Sequence, residues 1–537
     1  MIDFEKIDVI HRGAEALLEA LALKGVEVCF ANPGTSEMHL VTAIGDSDSI
    51  RPILCLFEGV VTGAADGYWR MKGKPAVNLL HLGPGYANGM ANMHNAKRAF
   101  SGMVNIVGDH ATWHLEHDAP LTSDIEGHVH LHSDWVCRST SANHLWSAGL
   151  AAVEKSHFGW GKIATIIAPA NHAWELTDKL DKKFDGEENK NLLNIVSDAV
   201  VERATQFVQL KEEVVLILGG RALREDCLIL AGQLARKFNI KLLCETFSAR
   251  IERGEGRVAI ERIPYFAEHA IEFLSKYKKA VLIGAKDPVG FFAYPNVSSR
   301  LLPEDCEILQ FAGVDDDIEN GLKRLVGSFA NLCAPILQQT EVVHADGEVL
   351  SPANLSAIIS SEIPEDTILS DEGITCSAEL YEKTKGAPKH DWLSITGGSI
   401  GQGLPVSFGA SIACPDRKVV AFQADGSAMY TVQALWSIVR ENCDLTIVII
   451  NNKSYAILNI ELQRLEAGTP SDKATSMLNM TPPDIDWVSL AKGLGMKASR
   501  ASSVSEFKSQ FRSAMTSTGP CLIEAVVVQD VLSTFKK

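Results

Sequence analysis

The stretch QADGSAMYTVQALWSIVRENCDLTIVIINNKSYAI, residues 423–457, decides the fold. An apolar strand closes at Ala424, Asp425-Gly426-Ser427 turns the chain, a helix runs through 431–441, and a second buried strand ends at Asn451-Asn452. Strand, helix and strand at that spacing predict two parallel neighbours in an α/β sheet. Asp425 and Asn452 then stand at the carboxyl ends of successive strands, where open sheets bind ligands. A carboxylate oxygen and an amide oxygen suit Mg²⁺, a hard cation that often bridges to phosphates. Gly426 admits a close backbone approach, and Ser427 with the helix start offers N–H groups to a diphosphate. Asp-Gly-Ser alone is usually no more than a turn. Its pairing with Asn-Asn across one helix and one strand is what makes the pattern specific.

Outward from this stretch the same alternation continues. EALLEALALKG (15–25) has helical spacing and VEVCFA (26–31) reads as a strand; PAVNLLHL (75–82) and MVNIVGD (103–109) are further strands. The charged stretch LDKKFDGEENKN (180–191) reads as a linker. EEVVLILGGRALREDCLILAGQLARKFNIKLLCE (212–245) is strand, Gly-Gly turn, helix and strand, and KKAVLIGAKDP (278–288) repeats the strand-then-Gly theme. The expected architecture is α/β, with three doubly wound parallel-sheet domains at 1–182, 192–340 and 345–537.

The 537 residues carry 67 acidic and 50 basic side chains, a formal net charge of -17. That balance argues against nucleic-acid or anionic-membrane partners, which need clustered Lys and Arg. The longest apolar runs, such as LTIVII (445–450), are strand-sized, well short of the ~20 residues of a membrane span. The opening MIDFEKIDVI lacks the apolar core of a secretion signal. Eleven scattered cysteines with no CxxC fit a reducing compartment, so the expected location is the cytoplasm.

Residues 423–457 resemble the signature of thiamine-diphosphate enzymes: Gly-Asp-Gly, a span of 25–30 residues, then Asn-Asn. One departure is Ala424 in place of the first Gly. The resemblance implies thiamine diphosphate and Mg²⁺ as cofactors, with the metal held by Asp425, Asn452 and the carbonyl of Ser454, and with Gly426 and Ser427 at the diphosphate. CLFEGVVTGAADGYWRMKGKPAVNLLHLGPGYANGMANMHNA (55–96) resembles the E-x-x-A-x-x-x-A-x-G-Y-A-R region of the same family. It implies that Glu58 hydrogen-bonds the coenzyme's aminopyrimidine ring and promotes loss of the thiazolium C2 proton. A Glu at a helix start is otherwise a common dipole-stabilising residue. TGGSIGQGLPVSFGA (396–410) resembles the family's G-x-Φ-G-x-x-L-P segment, implying that Ile400 bends the coenzyme and that the Gly398 carbonyl accepts from its amine. On this resemblance the three domains are pyrimidine-binding, central and diphosphate-binding, and the active unit is a homodimer or homotetramer.

For the substrate, NPGTSE (32–37) resembles benzoylformate decarboxylase, which implies that Ser36 meets a substrate carboxylate. His81, before Gly83-Pro84-Gly85, matches that decarboxylase's pocket histidine, a side chain suited to shuttling protons near neutrality. The central-domain loop DPVGFFAYPN (287–296) has no histidine; Phe291, Phe292 and Tyr294 are instead candidates to line an apolar pocket. The Asn-rich GPGYANGMANMHNA and the 396–410 segment are similar to acetolactate synthases, but Asp109 stands where those enzymes carry Gln. His110, His114 and His117 have only weak metal-site spacing and read as surface residues. FAD in the central domain is not favoured, because a Gly-Gly turn is a weak signal.

The resemblance thus implies decarboxylation of a small-molecule 2-oxo acid, with release of an aldehyde or ligation to a 2-hydroxy ketone. Two alternatives use the same site: a 2-hydroxyacyl-CoA lyase, and an inactive paralogue that only binds the coenzyme. A nucleotide-dependent dehydrogenase built on Gly219-Gly220 is a third, weaker reading.

Overall fold

The computed structural model describes residues 11–178, 193–210, 213–465, 468 and 470–528; the linker read at 180–191 lies outside them. The chain divides into two compact units.

The first unit holds residues up to 192 together with 397–414 and 431–441. Its strands are β1 (Val28–Asn32), β2 (Arg51–Leu54), β3 (Ala76–Leu80), β4 (Met103–Asp109), β5 (Trp135–Arg138) and β6 (Ile163–Pro169). They form one parallel sheet in the order β2-β1-β3-β4-β6-β5. Every residue of β3, β4 and β6 is buried, as strands covered by helices on both faces must be. The buried amide donors inside these strands find partners within the sheet, while Asn78 Oδ1 is left without one. Asn78 donates to Asn105 Oδ1 at 2.9 Å, and Asn105 donates to Thr165 Oγ1 at 3.1 Å, directly across the register of β3, β4 and β6. Paired in this way, buried amides escape the penalty of about 1–3 kcal/mol for an unmet donor.

In the same unit the helix Glu58–Lys72 packs on the helix Gly403–Ala413. The two approach backbone to backbone: a Cβ on Gly67 would lie 2.0 Å from the Val406 carbonyl oxygen, and one on Gly409 only 1.8 Å from that of Ala64. Between the helices Arg70 grips Asp66 through two bonds of 2.7 and 2.6 Å and also reaches Gln402 Oε1 at 3.3 Å.

The second unit opens with β7 (Val214–Leu218), β8 (Lys241–Cys244), β9 (Ile251–Arg253), β10 (Glu261–Arg262), β11 (Lys279–Ile283) and β12 (Glu307–Ala312). All but β9 form a five-stranded parallel sheet, β10-β8-β7-β11-β12. β13 (Thr367–Glu372), β14 (His390–Ser394), β15 (Val419–Ala424), β16 (Leu445–Asn451), β17 (Lys497–Ala501) and β18 (Cys521–Val526) follow. They make a seven-stranded sheet, β17-β18-β16-β15-β13-β14-β9. The parallel expectation needs one amendment here, because β9 crosses from the central segment and pairs antiparallel with β14. Local pattern shows that three residues are extended but not which edge they will join.

At the carboxyl end of β8, Glu245 is enclosed; a Cβ on Gly219, just past β7, would lie 2.6 Å from its Oε2. Burial pushes this carboxyl up to about 7, only partly offset by the Lys286 backbone N–H. An acid whose folded pKa exceeds its unfolded value binds more protons folded than unfolded. Stability is therefore greatest below the unfolded pKa near 4.5 and declines as pH rises towards 7. Glu245→Gln, which needs no ionisation, is expected to raise the melting temperature at pH 8, by up to roughly 3 kcal/mol of stability, and to change it little at pH 4.5. Thermal unfolding at the two pH values checks this.

Candidate functional site

The expected site residues fall into two groups, one within each unit. In the first, the strand order sets the geometry. The chain leaves β1 towards β2 on one side while β3 lies on the other, a topological switch point. The loops after β1 and β3 therefore stand side by side, and they carry NPGTSE and His81.

Within NPGTSE the residues Thr35–Glu37 form a single 3₁₀ turn, with Ser36 half-buried. Glu37, not singled out from sequence, is fully buried. Its Oε2 accepts from the Gly34 backbone N–H at 2.8 Å and lies 2.8 Å from His81 Nδ1. An ionised carboxylate can only accept, so with Glu37 ionised His81 Nδ1–H donates and Nε2 is left as the open nitrogen. Burial raises the Glu37 carboxyl above its usual range, opposed by His81 and the Gly34 N–H.

His81 precedes the helix Leu82–Ala99, and Leu82, its first residue, is held at φ +54. Glu58 opens its own helix after β2, as the sequence reading has it, and is 6% exposed. A Cβ placed on Gly85 would lie 3.1 Å from Glu58 Oε1 and 3.3 Å from His81 Cβ, so glycine keeps the space between these two side chains open.

The Asn-rich helix has a function that composition alone did not reveal. Asn88 donates to Glu58 Oε2 at 3.0 Å, Asn92 to the Gly59 carbonyl at 2.7 Å, and Asn95 to the Ser399 carbonyl at 2.7 Å. Spaced i, i+4 and i+7, they share one helix face. His94 Nε2 adds a 3.0 Å contact to the Gly397 carbonyl, and Thr431 holds that of Gly401 at 2.8 Å. The 397–401 segment is thereby clamped, with Gly398 exposed at φ +76 and Ile400 half-buried. The i, i+4, i+7 asparagines were a signal the sequence reading passed over.

In the second unit Asp425 is not in a free turn. It starts the short helix Asp425–Ala428 directly at the end of β15, and the helix expected over 431–441 spans Ala434–Arg440. Helix geometry aims the free N–H groups of this turn at the carboxylate. Asp425 accepts from Gly426 N at 2.9 Å and from Lys453 N at 2.7 Å. Burial still pushes its carboxyl up to about 6. Lys453 takes φ +58, turning the chain after β16 so that Asn452 Oδ1 accepts from Ser454 N at 3.1 Å. Asn452 Nδ2 donates to the buried Cys376 at 3.3 Å, which fixes the amide's orientation. Ser427 Oγ donates to the Glu372 carbonyl, at the end of neighbouring β13, at 3.3 Å. A Cβ on Gly426 would strike Tyr455 at 2.5 Å. A carboxylate, an amide oxygen and nearby backbone carbonyls form an all-oxygen donor set beside a side-chain-free glycine, and they fit Mg²⁺ with a diphosphate.

The remaining candidates have partners of their own. Asp109, in the position of the synthases' Gln, is buried and ion-paired to Arg138 at 2.7 Å. His114 and His117 lie on the exposed 3₁₀ helix Thr112–His117, in ring contact at 5.8 Å, whereas His110 precedes it, half-buried with its ring 5.2 Å from that of His114. Tyr294 donates to Glu461 at 2.8 Å, and Phe291 packs on Phe247 and Tyr265.

The two half-sites, each at a sheet's switch point, define an α/β enzyme that holds a diphosphate coenzyme. The chain belongs to the thiamine pyrophosphate enzymes: residues 11–129 match the N-terminal TPP-binding domain and residues 373–525 the C-terminal TPP-binding domain of that family. IlvX of Mycobacterium tuberculosis, provisionally assigned as an acetolactate synthase large subunit, is 43% identical over 96% of this chain and 99% of its own. Benzoylformate decarboxylase of Pseudomonas aeruginosa is 23% identical over 95% and 97%. Among solved structures, the 4-hydroxybenzoylformate decarboxylase of Rhodococcus jostii RHA1 superposes with a TM-score of 0.83 at 22% identity, covering 97% of this chain and 100% of that one. The protein is a thiamine-diphosphate enzyme of the acetolactate synthase and benzoylformate decarboxylase kind. Among the described residues no helix is long and apolar enough to cross a membrane.

Proposed function

We propose that the protein decarboxylates a small-molecule 2-oxo acid with thiamine diphosphate and Mg²⁺, releasing an aldehyde or ligating the product to a second carbonyl, and that it works as a homodimer or homotetramer. The observation that carries the reading is the pairing of Glu58 with the Glu37–His81 dyad across Gly85. A coenzyme-binding module without turnover has no need for an oriented imidazole beside the carboxylate.

Thiamine diphosphate, when bound, supplies an electron sink next to the substrate carbonyl, so the bond to the departing carboxylate can break. Asp425, Asn452 and the Ser454 carbonyl would hold Mg²⁺, with Gly426 and Ser427 at the diphosphate. Gly398 and Ile400, clamped through Asn95, would seat the aminopyrimidine end. Glu58, shielded from water and steadied by Asn88, would hold or release a proton at the aminopyrimidine end of the coenzyme. Ser36 meets the substrate carboxylate. His81, its Nδ1 tied to Glu37, presents Nε2 to give or take a proton at the substrate oxygen. No flavin enters the proposal: in the crevice at Gly219, where a dinucleotide's phosphates would lie, stands the Glu245 carboxylate.

The test is carbon dioxide release from a panel of 2-oxo acids, including pyruvate and benzoylformate, with and without both cofactors and with carbonyl products identified. Release that needs both cofactors supports the proposal, and aldehyde against hydroxy ketone separates decarboxylase from synthase. No release from any acid overturns it in favour of a 2-hydroxyacyl-CoA lyase or an inactive paralogue.

Glu37→Gln tests the dyad. It keeps the volume but removes the charge that holds Nδ1–H, so kcat is expected to fall roughly 10- to 100-fold, with a smaller change in KM and a shifted pH profile. An unchanged pH profile would remove His81 from the proton path.

A further inference from the structure

A cavity of about 1000 Å³ opens in the second unit along the β8–β10 edge of the five-stranded sheet, reaching the starts of β7 and β8. Its wall carries Arg236, Lys241, Arg253, Arg262, Lys276 and Lys385 against Glu261 and Glu382, six positive charges to two negative. A local excess of +4 in a chain of net charge -17 needs a reason.

Lys241 is paired with Glu261, and Lys385 with Glu382. The three arginines have no carboxylate within 4 Å among the described residues. Arg253 is buried on β9; one of its nitrogens donates to Thr384 Oγ1 at 3.0 Å. Its guanidinium lies 3.7 Å from the centre of the Tyr381 ring, and that of Arg262 lies 4.0 Å from the same centre. Two guanidinium groups thus converge on one buried tyrosine. Burial, with the neighbouring Arg262 adding to it, weakens Arg253's hold on its proton, and the more distant Glu382 offsets this only in part. A buried charge is costly unless it is paired. Guanidinium forks are suited to receive carboxylate or phosphate oxygens in pairs.

We propose that this cavity is a binding site for a small organic anion bearing a phosphate group or paired carboxylates, with Arg253 and Arg262 as its principal ligands and the flanking tyrosines as its apolar wall. None of the coenzyme residues lines the cavity, and the site does not depend on the reaction assigned to them.

The test is calorimetric titration of the full-length protein, saturated with thiamine diphosphate and Mg²⁺, with inorganic phosphate and, separately, with malonate. The expected result is one saturable site per chain for at least one probe, weakening steeply with added salt and about tenfold or more in Arg262→Met. Phosphate alone binding identifies a phosphate ester as the ligand class; malonate alone identifies a dicarboxylate. Arg262 is half-buried and on an edge strand, so its variant is expected to fold; Arg253→Lys, which keeps the charge but not the fork, is the second variant. No saturable binding up to ~10 mM, the weak end of ordinary site affinities, overturns the proposal. So does binding that is unchanged in both variants.

Discussion

Glu58→Gln is expected to lower kcat by roughly a hundredfold or more, the range of general acid–base contributions, while thiamine-diphosphate affinity stays within a few-fold of the parent. Glutamine fills the same volume and can still accept from Asn88, which reaches Glu58 Oε2 at 3.0 Å. The helix Glu58–Lys72 also keeps its other anchors, including Thr62 to the Gly89 carbonyl at 2.9 Å and the buried Asp66–Arg70 pair. What glutamine cannot do is exchange a proton with a ring nitrogen. Coenzyme binding followed by tryptophan fluorescence, alongside steady-state turnover, separates the two effects. Persistent turnover would remove Glu58 from the chemistry, and joint loss of binding and turnover would make it a structural contact.

Asp425→Asn is expected to act on the other side of that division and abolish binding itself. Asparagine retains one oxygen but loses the negative charge that a divalent cation needs, and one of the two backbone N–H donors at Gly426 and Lys453 loses its acceptor. A ligand at a hundred times its Kd stabilises the folded protein by about 2.7 kcal/mol. The parent should therefore gain several degrees in melting temperature with thiamine diphosphate and Mg²⁺, and Asp425→Asn should gain none, even though its melting temperature without ligand is close to the parent's. A full thermal shift in the variant would show that the cation is held elsewhere.

The two residues differ in how plainly the sequence marks them. Asp425 and Asn452 are legible because each follows directly on a buried strand; their position depends only on where an apolar run stops, and parallel pairing of β15 with β16 then brings the two strand ends side by side. Glu58 stands at a boundary between a strand and a helix, but it is the resemblance of residues 55–96 to the family that singles it out. Glu37 is not legible. Its contact with His81 spans 44 residues and exists because β1 and β3 are neighbours at a switch point. The asparagines are an intermediate case. Their i, i+4, i+7 spacing was readable, but what the shared face would meet was not.

By itself, then, the sequence determined the alternation of strands and helices and the placing of Asp425, Asn452, Glu58 and His81 after strands, while the coenzyme followed from the resemblance of those stretches to thiamine-diphosphate enzymes. The alternation and the placing depend on periodicity and on interactions within a few residues. Tertiary structure alone decided that Glu37 orients His81, that Asn88, Asn92 and Asn95 clamp two segments, that β9 leaves the central segment for the edge of β14, and that Arg253 and Arg262 meet over Tyr381. Each of those depends on strand order and helix facing, which are set by burying apolar surface across the whole chain and leave no local trace.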